Sequence, residues 1–394
     1  MTEPMVWLRD GGGLAGRWQG ETAAFLGIPY ATAARFQPPD PVPPWKGVRD
    51  ATRPGPIAPQ LPSQLTRVVG PQSPADQSED CLNLNVWTPG TTKPRPVLVF
   101  VHGGGFLTGA GSLAWYDGAR LASRGDMVVV TINYRLGALG FLRDNAGLRD
   151  IRAALRWVRD NIAAFGGDPD WITAAGQSGG ALALLNLLSE RNLFHQAILQ
   201  SLPAGMLPAA EPADRLGPRP EQLPVDHILA RQVELAAGVE PPFQLVADGE
   251  LVAADPVESA RTDIPIMIGY TRDEAAAFLA DDDLAERLIR GPSHRLAEVL
   301  AQQGNSPLLY RFDWHPPGSP FGACHCIELP FVFGNLDAWR DAPMLAGAES
   351  LTEVVDAVQP TWISLTHNQK DIACTPTPWL STARWSPSTS GSRS

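Results

Sequence analysis

Gly176-Gln-Ser-Gly-Gly180 sits between an extended apolar run, Trp171-Ile-Thr-Ala-Ala175, and a helix-forming run, Ala181-Leu-Ala-Leu-Leu-Asn-Leu-Leu188. A G-x-S-x-G turn between a strand and a helix lifts its serine hydroxyl above the end of a sheet. The glycines let the backbone take strained angles and let a reactant approach. Upstream, Pro96-Val-Leu-Val-Phe-Val101 reads as a second buried strand and runs directly into His102-Gly-Gly-Gly-Phe106. A glycine loop in that position offers backbone amides to a developing oxyanion. The two signals in this order point to acyl transfer through Ser178. A helix-capping serine is the plain alternative for Ser178, and the flanking motifs weigh against it.

Outward from these motifs the chain alternates strands and helices. Strand-like runs fall at Asn85–Trp87, Val97–Val101, Met127–Ile132, Trp171–Ala175, Gln196–Gln200, Ile264–Gly269 and Leu308–Asp313. Several are continuously apolar, as strands buried on both faces must be. Ile151, Ala154, Leu155, Val158 and Ile162 recur at helical spacing, and Phe165-Gly-Gly-Asp-Pro169 ends that helix. The expected fold is α/β, a mostly parallel doubly wound sheet. Residues 38–75, rich in Pro and Gly, read as covering loops. Residues 203–242 read as a reduced helical cap. The expected domain spans 1–374, followed by a low-complexity, poorly ordered tail over 375–394.

The 394 residues are 44% hydrophobic and carry 31 Lys and Arg against 42 Asp and Glu, a net charge of −11. That balance argues against nucleic acid or an anionic membrane as partners. No run approaches the roughly 18 apolar residues of a membrane span, and the first ten residues lack a basic, apolar leader pattern. Four cysteines, Cys81, Cys324, Cys326 and Cys374, are too few for a disulfide framework and suit a reducing compartment. The expected location is cytoplasmic.

A serine hydroxyl needs a base, and the base needs a carboxylate to orient it. On this fold the order is Ser, acid, His. Thr271-Arg-Asp-Glu274 follows the strand Ile264-Pro-Ile-Met-Ile-Gly-Tyr270, so Asp273 and Glu274 are the candidate acids. His294, His315, His325 and His367 come later. His294 and His367 lie in helix-like segments. His315 and His325 lie in the loop after a strand, and these residues alone leave both open. Cys324-His-Cys326 invites a metal reading, but zinc sites use wider spacing and a second ligand cluster. No metal and no cofactor are expected.

Much of the chain resembles the type B carboxylesterases, the carboxylesterase/cholinesterase family of α/β-hydrolases. The matching stretches are Phe25-Leu-Gly-Ile-Pro-Tyr-Ala31, Ser78-Glu-Asp-Cys-Leu-Asn-Leu-Asn-Val-Trp87, His102-Gly-Gly-Gly-Phe106, Thr131-Ile-Asn-Tyr-Arg-Leu136 and Phe165-Gly-Gly-Asp-Pro169. Gly176-Gln-Ser-Gly-Gly180, Ala197-Ile-Leu-Gln-Ser201, Gly269-Tyr-Thr-Arg-Asp-Glu274 and Gly322-Ala-Cys-His-Cys-Ile-Glu-Leu-Pro-Phe-Val-Phe-Gly334 complete the set. The resemblance implies a Ser178–His325–Glu274 triad and oxyanion amides from Gly104, Gly105 and Gly179. It also implies a structural ion pair between Arg35 and Glu79, and a positioning role for His102.

Three departures stand out. The family usually has Glu before the serine and Ala after it, where this chain has Gln177 and Gly179. The segment between Glu274 and His325 is short, which implies a more open site. The substrate pocket is expected to include Phe106, Leu202, Met206 and Leu207. The resulting reading is a serine carboxylesterase acting on small, short-chain esters. An amidase, carbamate hydrolase or lipase on the same triad is the rival within the class. A non-catalytic interaction protein is the rival outside it, and intact triad positions argue against that.

Overall fold

The computed structural model describes residues 2–72, 75–205, 215–236, 241–261, 263–278, 282–368 and 380–384. Its centre is a ten-stranded sheet. In chain order the strands are β1 (Arg17–Gln19), β2 (Thr22–Pro29), β3 (Asn83–Thr88), β4 (Arg95–Val101), β5 (Val128–Ile132), β6 (Gly167–Gln177), β7 (Gln196–Gln200), β8 (Ile266–Thr271), β9 (Leu308–Phe312) and β10 (Leu380–Arg384). Their order across the sheet is β10-β9-β8-β7-β6-β4-β5-β3-β2-β1. The block from β5 through β4, β6, β7 and β8 to β9 is parallel. Antiparallel strands close both edges.

The apolar runs in β4 and β5 follow from burial on two sides. Along β4, Val97, Val99 and Val101 join one core cluster, and Leu98 and Phe100 join the other. That is the period-two alternation of a strand covered on both faces. One face is covered by the helices α2 (Ala146–Asn161), α3 (Gly179–Leu187) and α5 (Gly291–Gln302). They follow α1 (Ala119–Gly125), which covers the other face together with α6 (Leu351–Thr366). Helix α4 (Val225–Leu235) lies in the cap-like region. The stripe Ile151, Ala154, Leu155 and Val158 is buried on α2, as its spacing requires.

Two sequence expectations need correction. Within the tail, Leu380–Arg384 is ordered as the edge strand β10, paired antiparallel with β9 from Leu308 opposite Arg384 to Phe312 opposite Leu380. A five-residue edge strand needs only one partner and leaves no periodic apolar signal in a Ser- and Thr-rich stretch. The loops of 38–75 also contain regular structure: Val48–Asp50 joins Met5–Trp7 and Gly13–Ala15 in a small separate sheet.

Two ion pairs, one buried and one half-buried, fasten segments of the chain to one another. Arg135 forks onto Asp150 through Nε at 2.8 Å and Nη2 at 2.6 Å. Arg35 pairs with Glu79 and reaches the backbone carbonyl of Leu223, joining the first loop to the cap segment.

Candidate active site

Ser178 stands where β6 ends and α3 begins, at the carboxyl ends of the parallel strands, where sites in open α/β sheets form. Its φ of 53° and ψ of −122° are strained for a side chain of this type. The turn is held by the Ser178 N–H donating to the Gln200 carbonyl at 2.8 Å. It can form only because its glycines leave room: a Cβ at Gly180 would lie 2.2 Å from the Val101 carbonyl oxygen.

The glycine loop after β4 passes over this turn. Gly104 has φ 108°, and a Cβ there would fall 2.1 Å from the Thr108 carbonyl oxygen, so only glycine fits. Gly104, Gly105, Phe106, Ser178 and Gly179 line one cavity. Gly179 is the first residue of α3, so its N–H has no partner within the helix. His102, the residue before the glycines, is buried beneath the loop. Burial pushes its pKa down to about 4, and its Nδ1 meets the Gly103 carbonyl at 2.8 Å while the ring stacks on Tyr134.

The remaining groups come from the loops after β8 and β9. Glu274 Oε2 meets His325 Nδ1 at 2.5 Å, with both side chains buried. Glu274 Oε1 accepts from the Ser201 hydroxyl at 2.7 Å and from the Thr271 N–H at 2.8 Å. A carboxylate with three donors has a fixed orientation. Burial opposes the charged imidazole of His325, and the neighbouring Cys326 sulfur and Glu274 carboxylate favour it. The balance holds His325 well above the ordinary histidine value. Phe278 packs on the imidazole with ring centroids 5.2 Å apart. Behind the pair, Glu328 is fully buried with Oε1 accepting from Gln200 Nε2 at 3.1 Å. Burial and the charge of Glu274 push its pKa up to about 7.

The alternatives left open by the residues fall elsewhere. Asp273 accepts the Ala323 N–H at 2.7 Å and pairs with Arg272, so it fastens the loop that carries His325 without meeting the imidazole. His315 turns its Nδ1 to the Pro316 carbonyl at 2.9 Å and lies in a different hollow with Asp313 and Glu349. Among the described residues no group of three or more His, Cys, Asp or Glu could hold a metal ion.

The cavity measures about 380 Å³ and contains Ser178, Glu274 and His325 in its lining. Its apolar walls include Leu61 and Leu65 from the early loops, Phe106, Val233 of α4, and Leu288 and Ile289. The short segment between Glu274 and His325 therefore still builds a wall. Leu202 does not line the cavity. It is buried in the core cluster, and its successors Pro203, Ala204 and Gly205 take the lining position. Met206 and Leu207 lie outside the described residues. Sequence reasoning gave no role to Ser201, Glu328 or Phe278. For Ser201 the signal was its polar place at the end of an apolar strand.

This layout, in this position on this sheet, defines an α/β-hydrolase. The sequence model of the carboxylesterase family matches residues 4–215, and the chain belongs to that family. It is 40% identical over 388 residues to a probable N-octanoylanthranilate hydrolase of Rhodococcus erythropolis, covering 84% of this chain and 85% of that protein. It is 36% identical over 415 residues to the para-nitrobenzyl esterase of Bacillus subtilis (strain 168), covering 86% of this chain and 84% of that one. A solved structure of a PNB esterase superposes with a TM-score of 0.85 at 31% identity, over 98% of this chain and 94% of that chain. The chain is a carboxylic ester hydrolase, and its substrate is a small-molecule ester. Among the described residues no helix is long and apolar enough to cross a membrane.

Proposed function

We propose that the protein is a serine carboxylesterase in which Ser178, His325 and Glu274 act as a triad within a hydrolase domain spanning 1–374. The observation that carries this is the 2.5 Å contact of His325 Nδ1 with Glu274 Oε2 in the wall of the cavity that Ser178 also lines. Ser178 Oγ attacks the ester carbonyl carbon as its proton passes to His325 Nε2. The carbonyl oxygen becomes an oxyanion facing the amides of Gly104, Gly105 and Gly179. The C–O bond to the alcohol then breaks, and Nε2 returns the proton to the departing oxygen. Water attacks the acyl-enzyme by the same route, freeing the acid and restoring the serine. Glu274 keeps the proton on Nδ1 and stabilises the imidazolium.

The cavity volume of about 380 Å³ lies near the low end of the roughly 300–1,000 Å³ range of small-molecule sites. It suits compact esters, and the proposed acyl range is acetate to hexanoate. A p-nitrophenyl ester series tests this: kcat/KM should peak at or below hexanoate. Preference for palmitate, or a rate jump on emulsified triglyceride, would make the enzyme a lipase. The name of the Rhodococcus relative favours a second reading, cleavage of N-acyl arenes on the same triad. Comparison of octanoyl p-nitroanilide with p-nitrophenyl octanoate separates the two.

A further inference from the structure

The free nitrogen of His325 already has a partner. Gln177 Nε2 lies 3.0 Å from His325 Nε2. The same amide nitrogen donates to Cys326 Sγ at 3.4 Å. His325 Nδ1 faces a carboxylate, which can only accept, so Nδ1 carries the proton. A neutral imidazole then presents a lone pair at Nε2, and the Gln177 amide donates into it. An imidazolium would set N–H against N–H. A glutamine amide has two N–H bonds, and here each has an acceptor.

Packing holds the amide in place. Gln177 is 2% exposed. A Cβ at Gly103 would lie 2.3 Å from Gln177 Oε1, so the glycine loop closes directly over it. Cys326 adopts a left-handed φ of 76°, and the residue lines the cavity beside His325. Among the described residues no hydrogen bond joins Ser178 to His325; the acceptor that Ser178 needs is the one that Gln177 fills.

We propose that Gln177 is a positioning residue that clamps the base in its neutral form. Its amide competes with the Ser178 hydroxyl for His325 Nε2 and opposes protonation there. The inference rests on the reading of His325 as the base. The titratable groups facing the imidazole are the carboxyls of Glu274 and Glu328 and the thiol of Cys326, with Cys324 one residue away. Both carboxyls favour the imidazolium when charged. Gln177 is a neutral donor aimed at Nε2 and counters them, so the base stays neutral to lower pH than its other neighbours would allow. For the reaction to start, the amide gives up Nε2 as the serine proton arrives.

The test compares Gln177→Met, which keeps the shape and removes the N–H donors, with Gln177→Glu, which sets a carboxylate against Nε2. Fluorophosphonate labelling at alkaline pH identifies folded, competent variants. The readout is kcat/KM for p-nitrophenyl acetate between about pH 5.5 and 9. Both variants should move the acid limb upward, Gln177→Glu by about one unit. At pH 6 that means kcat/KM about tenfold lower for Gln177→Glu, with an alkaline plateau within about threefold of wild type. Unmoved limbs, or a loss of the same factor at every pH, would overturn the clamp. A shift in Gln177→Glu alone would reflect the added charge and would also overturn it. Full activity in His325→Ala would remove the underlying base assignment; an inactive His325→Ala with unmoved limbs refutes the clamp alone.

Discussion

Ser201→Ala deletes the hydroxyl that donates to Glu274 Oε1 at 2.7 Å. The Thr271 N–H remains on that oxygen at 2.8 Å, and His325 remains on the other. Ser201 and Glu274 are both 0% exposed, so no bulk water replaces the lost donor. A hydrogen bond to a charged group contributes about 1.5–3 kcal/mol. In the transition state the carboxylate must hold an imidazolium still, and a loss of that size expressed there lowers kcat/KM about 10- to 100-fold. Ser201 has a φ of 49°, which alanine inherits as strain. Ser201→Gly also lacks the hydroxyl but accepts that φ, so a rate loss shared by both variants belongs to the hydroxyl. The assay is kcat/KM for p-nitrophenyl butyrate, with thermal denaturation in parallel. Wild-type kcat/KM in both variants, with only the melting temperature lowered, would refute the reasoning and leave Ser201 a structural residue.

Three further outcomes follow from the same geometry. Glu274→Gln should lower kcat by at least about 10³-fold, whereas Asp273→Asn should act mainly on stability, through the contact of Asp273 with the Ala323 N–H; steady-state kinetics on both variants decide it. Gly179→Ala should fold and work, because its Cβ meets nothing nearer than Phe106 N at 3.4 Å, and alanine in α3 should add about 0.5–1 kcal/mol of stability. Gly180→Ala should fail to fold on the Val101 carbonyl, and urea melts of the two compare them. Finally, His325 is held above the usual histidine value, and only its neutral form accepts the serine proton, so activity should fall with pH through an acid limb above about 6.5. A pH–rate profile with its midpoint below that value would contradict the assignment.

The parallel core was legible because burial on both faces forces unbroken apolar runs, as in Val97–Val101 and Val128–Ile132. The serine turn and the glycine loop over it were legible because their glycines are steric requirements, visible at Gly180 in the turn and Gly104 in the loop. The short edge strands were not: Met5–Trp7 buries only Val6, and Leu380–Arg384 is five residues long, too short to leave a period. At the candidate site, spacing could not choose between Asp273 and Glu274 or between His315 and His325. Neighbouring residues differ only in which way they point, and tertiary packing sets that: Asp273 turns to Ala323, and Glu274 turns to His325. Leu202 and Pro203 show the same limit, one residue separating the core from the cavity wall. The Gln177–His325 contact joins residues 148 positions apart, and no local pattern announces it.

The central claim is that Ser178 is the nucleophile, and covalent labelling tests it most directly. Purified protein treated with a fluorophosphonate and digested should show a single adduct, on the peptide containing Ser178, appearing in step with loss of esterase activity. Ser178→Ala should fold normally, take no label and retain less than about 10⁻⁴ of the rate. An adduct on another residue, or a Ser178→Ala variant that still turns over ester, would contradict the account.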